Sequence, residues 1–181
     1  MRAARYPDAP LRASPRMAAR WGLLGLLGFE LTLLTIRLVN GTFDQFSLMA
    51  ALAAGALVWA LIAHARAGAI PRFALMLLVA VTLARALAQT VPGPAPLGVL
   101  PTYFVPLGFA LLLVARAPTA WGVGVVAAAR SWFVVWYFLI GVPEIAIANV
   151  LAAIGMWIWF VGASGGERAA PAEDTTGAPP S

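Results

Sequence analysis

Six apolar runs, at 21–39, 46–64, 73–91, 99–116, 121–141 and 144–163, alternate along the chain with short polar breaks. A helix rising ~1.5 Å per residue needs about 20 residues to cross a ~30 Å hydrocarbon core, and the runs have that length. The pattern predicts an all-α, polytopic integral membrane helical bundle with six transmembrane helices.

The breaks carry helix stop and start residues. In Asn40-Gly41-Thr42-Phe43-Asp44-Gln45, Gly41 suits a left-handed C-cap, and Thr42 with Gln45 makes a candidate capping box for the second run. Pro71 and Pro143 suit first-turn positions, Thr119 suits the cap of the fifth run, and Gly141 suits its end. Pro92, Pro94 and Pro96 predict a stiff extended loop over 91–97. Pro106 lies well inside the fourth run, where the loss of its amide predicts a kink. The stretch 119–163 has two solutions: a re-entrant segment ending near Arg130 followed by one long helix, or two spans hinged at Gly141-Val142-Pro143. One helix over 131–163 would be roughly 50 Å long, too long for a crossing without steep tilt, so two spans are favoured.

Arg placement near short loops sets the orientation. With the N-terminus inside, Arg2, Arg5, Arg12, Arg16, Arg20, Arg66, Arg72, Arg116 and Arg168 collect on the cytoplasmic side, while the outer loops hold Asp44 and Glu144 and no Arg. The expected layout is N-in and C-in: a basic cytoplasmic tail over 1–20, the transmembrane domain over 21–163, and a disordered Gly/Ala/Pro/Ser-rich tail over 164–181. Trp21, Trp121, Trp157 and Trp159 fall near inner helix ends, as in an interfacial aromatic belt. Asp8 and the early Pro residues argue against a transit peptide, and no small-residue cleavage site follows 21–39, so that run reads as the first span. Asn40-Gly41-Thr42 matches a glycosylation sequon, but a tight turn against the membrane gives it little weight. A likeness between 27–33 and 107–113 would pair spans one to three with four to six as an inverted repeat; coincidence among Leu-rich helices explains it better.

Composition sharpens this picture. The 181 residues are 62% hydrophobic and 10% charged, against about one-quarter charged in a soluble domain, and the mean hydropathy is +0.88. A soluble globular protein is excluded, and the expected location is the cytoplasmic (inner) membrane of a bacterium. The net charge of +5 is concentrated ahead of the first run, which argues against a nucleic-acid groove. The absence of Cys excludes disulfides, thiol catalysis and Cys-ligated clusters. Every basic residue is Arg, so no lysine Schiff base to retinal or pyridoxal phosphate can form. His64, the single His, cannot supply bis-His haem ligation. No cofactor and no metal site is expected.

Charges at bilayer depth cost ~2.5–3.5 kcal/mol each on insertion scales, so each implies a partner or a function. Glu30, Arg85 and Arg130 lie nine, twelve and nine residues into runs that point the same way. At ~1.5 Å per residue they sit roughly 14–18 Å above the inner boundary and can share one layer. Thr82, Arg85 and Gln89 form a polar stripe on one helix face, Glu30 and Arg37 share a face, and Tyr137 lies seven residues above Arg130. One carboxylate cannot neutralise two guanidiniums, and a carboxylate or phosphate on a guanidinium fork would complete the layer. The candidate ligand-binding residues are therefore Glu30, Arg85, Arg130, Gln89 and Tyr137, with no catalytic residue among them. The competing explanation is structural: Glu30 pairs with one Arg, and the other snorkels or bonds carbonyls freed at Pro106. Asp44 and Glu144 read as first-turn carboxylates stabilised by the helix dipole. Trp132, Phe133, Trp136, Tyr137 and Phe138 form an aromatic cluster, suited to packing at the interface or to an apolar ligand. Small-residue faces at Ala50, Ala54 and Gly55, at Ala80, Ala84 and Ala88, and at Ala148, Ala152 and Gly155 predict close helix approach and disfavour a wide pore.

These features favour a transporter, or the membrane subunit of a complex, that binds a small anionic or amphipathic ligand at the Arg/Glu layer. An intramembrane enzyme on a lipid or isoprenoid substrate, with Glu30 or an outer carboxylate as general acid, ranks below it. An accessory subunit without ligand is the third reading. The expected partners are the lipid bilayer, the ligand, and a membrane protein or second copy of the chain; nucleic acid is not among them.

Overall fold

The computed structural model describes residues 15–90, 100–114 and 119–169. Six α-helices follow in order: α1 Pro15–Val39, α2 Gln45–Ala67, α3 Arg72–Thr90, α4 Phe104–Leu113, α5 Thr119–Leu139 and α6 Pro143–Ala169. No strand occurs among the described residues. All of these helices except α4 are long and apolar enough to cross a membrane, the build of a multi-pass membrane protein.

The fourth element corrects the expectation of a kinked full span over 99–116. Leu100–Tyr103 is a 3₁₀ turn, and the α-helix proper starts only at Phe104. Pro101 lies in the 3₁₀ turn, and Pro106 lies in the first turn of α4, where an amide has no intrahelical acceptor to lose. The two prolines thus set where the helix begins. Together the segments rise roughly 23 Å, short of a ~30 Å core.

The 119–163 stretch divides into two helices, α5 and α6, and α6 continues to Ala169, past the expected boundary at 163. The tails at 1–14 and 170–181 and the Pro-rich loop expected at 91–97 lie outside the described residues. The turns after α1 and α5 are built alike. Thr42 N–H donates to the Arg37 carbonyl and Gly41 N–H to Leu38, while Val142 N–H donates to Tyr137 and Gly141 N–H to Phe138. Both are Schellman caps, and both place glycine at positive φ, 66° at Gly41 and 76° at Gly141. The start of α2 differs from expectation: its N-cap is Asp44 and its box partner Ser47, because a short carboxylate reaches the third amide of the helix better than Thr42 does. The offset of 80 that aligned 27–33 with 107–113 would lay α2 across the turn at 140–142, so the helices do not support an inverted repeat.

Each helix packs on its neighbour in sequence, and α6 closes on α1, the most extensive contact of all. The result is a sequential ring of antiparallel helices around one interior. Closure rests on small residues. A Cβ placed on Gly25 would lie 2.6 Å from the Leu151 carbonyl oxygen, and one on Gly155 would lie 2.6 Å from that of Trp21, so α1 and α6 touch backbone to backbone. Ala148 and Ala152 are fully buried on the same side of α6. The stripe expected on α3 behaves otherwise: Ala80 is exposed, and Ala84 and Ala88 are half-buried. Trp21, Trp121 and Trp157 face outward as an aromatic belt requires, but Trp159 is buried against Gly22.

Candidate ligand site

The interior of the ring is apolar through its middle and opens into a cavity of about 320 Å³ at the end that carries the 40–44 and 140–142 turns. The polar residues singled out from sequence converge there. Arg85 on α3 reaches across the ring to Glu30 on α1 in a bidentate pair, Nη1 to Oε1 at 3.0 Å and Nη2 to Oε2 at 2.8 Å. The Glu30 side chain is 3% exposed and that of Arg85 12%, so the pair is held nearly out of solvent. Both carboxylate oxygens are used, which keeps the charged form well satisfied.

Arg130 on α5 is placed differently. The residue is 5% exposed, and its guanidinium lies 3.9 Å above the Phe29 ring centroid. Its Nη1 donates to Oδ1 of Asn149 at 3.2 Å, and its buried Nε–H has no hydrogen-bond partner among the described residues. Glu30 and Arg85 are near enough to act on it electrostatically, but among the described residues no carboxylate forms an ion pair with it. The face of an aromatic ring and one neutral amide are what compensate this charge.

Around these groups the walls are mixed. Thr82, Arg85 and Gln89 all line the cavity, so the polar stripe on α3 faces inward, with Gln89 at its exposed upper end. Thr82 is back-bonded, its hydroxyl donating to the Leu78 carbonyl at 2.6 Å. Tyr137 lines the cavity half-buried, with its ring 6.1 Å from that of Phe133. The aromatic cluster therefore splits: Phe133 and Tyr137 face the cavity, whereas Trp132 and Phe138 are exposed on the outside of the ring.

The mouth is framed by Arg37, Asn40, Thr42 and Asp44. Arg37 Nη1 contacts both Asp44 oxygens, at 2.6 and 2.5 Å, and its guanidinium stacks 5.0 Å from the Phe46 ring centroid. Arg37 thus serves the hairpin and makes no ion pair with Glu30. Desolvation in the turn pushes the Asp44 carboxyl up, but the Ser47 amide and the Arg37 guanidinium outweigh it and hold the group below the usual carboxylate range.

Two members of the site were missed from sequence: Asn149, which holds Arg130, and Phe29, which lies beneath it. Asn149 carried a signal, being a lone amide inside an apolar run, fully buried here with its Nδ2 donating to Ile145 at 2.8 Å. Phe29 carried none, since one Phe among Leu residues is unremarkable. No metal-ligating cluster of three or more His, Cys, Asp or Glu exists among the described residues. The chain matches no protein-family model, no curated protein and no solved structure.

Proposed function

We propose that this protein binds a small anion or anionic amphiphile in the ring cavity, as a transporter or as the ligand-binding membrane subunit of a complex. In this reading the orientation is N-in and C-in, and the cavity opens to the outside of a bacterial cytoplasmic membrane. The observation that carries it is Arg130: a buried cation on a cavity wall with, among the described residues, no carboxylate partner and no acceptor for its Nε–H. A charge so placed is costly unless something negative joins it. Arg85 and Glu30 complete each other and would shape the cavity floor, with Gln89 and Tyr137 higher on the wall. The same bidentate pair argues against the enzyme reading, because Glu30 with both oxygens held by a guanidinium is a poor proton donor.

Melting of the detergent-purified protein with phosphate, acetate and benzoate tests this. A ligand present at a hundredfold excess over its dissociation constant stabilises by ~2.7 kcal/mol, and that gain should vanish in Arg130→Met. If no anion shifts the parent protein, the binding reading falls and the accessory-subunit reading replaces it.

A further inference from the structure

Three features of the cavity narrow the choice among anions. The first is its charge count. Of the cations lining it, Arg37 is paired with Asp44 and Arg85 with Glu30, so among the described residues Arg130 alone is unmatched. A single negative charge neutralises the site, whereas a dianion would leave an excess charge in a water-poor interior. The second is its scarcity of donors. Thr82 gives its hydroxyl proton to Leu78, and Asn149 gives an amide proton to Ile145 and turns its oxygen to Arg130. Beside the Arg130 guanidinium, whose planar fork suits the two oxygens of a carboxylate, the remaining donors, Gln89 and Tyr137, stand higher on the wall. The third is the wall. Leu33, Ile36, Val105, Phe133 and Ile145 line the space with Phe29, and about 320 Å³ equals the liquid volume of roughly ten waters at ~30 Å³ each, room for a small organic anion.

We infer that the ligand is a small water-borne monocarboxylate with an aromatic or branched apolar body, its carboxylate on the Arg130 guanidinium and its body among the apolar wall residues. The inference rests on the anion-binding reading above. A water-borne source follows from the mouth, where Arg37, Asn40, Thr42 and Asp44 present polar groups and a salt bridge.

Binding of five probes to the purified protein in nanodiscs at pH 7.5 tests this by calorimetry and melting. Phenylacetate carries the charge and the body, phenylacetamide the body alone, acetate the charge alone, phenyl phosphate a double charge, and oleate the same head group delivered from the bilayer. Phenylacetate should bind at least about tenfold more tightly than each of the others, a gap of ~1.4 kcal/mol or more. Arg130→Met should abolish its binding, and Arg130→Lys, which keeps the charge but loses the fork, should weaken it. Leu33→Trp leaves the charged floor intact and should block phenylacetate while sparing acetate. Tighter binding of phenyl phosphate would overturn the monocarboxylate and leave the anion site standing. Tighter binding of oleate would overturn the water-borne source. Silence from all four anions would overturn both the inference and the reading beneath it.

Discussion

Arg130 and Arg85 are the same residue type on the wall of the same cavity, yet their surroundings assign them opposite energetics. Arg85 and Glu30 satisfy each other, so removing either strands a buried charge at a cost of ~3–5 kcal/mol. Glu30→Ala and Arg85→Ala should therefore lower thermal stability sharply, and the double replacement by Met should recover part of the loss. Among the described residues Arg130 has no ion-pair partner to strand, so Arg130→Met should leave the empty protein unchanged or more stable, the gain in desolvation offsetting the lost Phe29 and Asn149 contacts. Equal destabilisation by Arg85→Ala and Arg130→Met would make Arg130 a structural residue. The sequence made the imbalance visible, because counting one acid against two bases at one depth needs only helix periodicity. It did not show which Arg takes Glu30, since that depends on where α1, α3 and α5 stand around the ring.

Helix ends and helix crossings divide along the same line. Gly41 and Gly141 were legible as caps because a positive φ is a local demand that few other residues meet. The cap of α2 was misassigned by two residues, Asp44 for Thr42, because several short polar side chains competed for one helix start. The shortened α4 went unseen because hydropathy counts apolar residues whether or not the backbone can hold a helix through Pro101 and Pro106. Asp44→Ala removes both the cap and the Arg37 pair, and should lower the melting temperature. Because the folded carboxyl is held below its unfolded value of ~3.9, its contribution is complete above that pH and is lost as pH falls through the lower folded value. A melting series below pH 4 should lose more stability in the parent than in Asp44→Ala. Close crossing makes a sharper contrast. At Gly25 a new Cβ meets backbone that cannot yield, so Gly25→Ala should cost about 1–3 kcal/mol; at Gly55, with nothing within 4 Å, Gly55→Ala should be neutral or gain up to ~1 kcal/mol of helix propensity.

Between the cavity and the opposite end of the ring, every helix contributes buried apolar residues to one seal: Leu23 and Leu26, Ala53 and Leu57, Leu78 and Val81, Phe109, Val123 and Val126, Ala152 and Met156. Below that seal lies a second pocket lined by Arg16, His64, Gly68, Thr119 and Trp159, which shares no lining residue with the first. The ends also differ in charge. Arg16, Arg20, Arg66 and Arg72 stand near one end without a carboxylate in an ion pair among the described residues, whereas the one Arg near the other, Arg37, is cancelled by Asp44. Positive charge resists translocation, which supports the proposed orientation, with the four-Arg end in the cytoplasm and the cavity facing out. The chain lacks Cys, which makes single-Cys labelling clean. In intact cells, Cys at Thr42 or Val142 should react with a membrane-impermeant maleimide, and Cys at Gly68 should react only after permeabilisation. The reverse pattern would place the cavity mouth in the cytoplasm and turn an outward-facing receptor into an inward-facing one, with the same ligand approaching Arg130 from inside the cell. Labelling of Thr42 and Gly68 from the same side would instead break the antiparallel α1–α2 hairpin as a membrane-crossing unit.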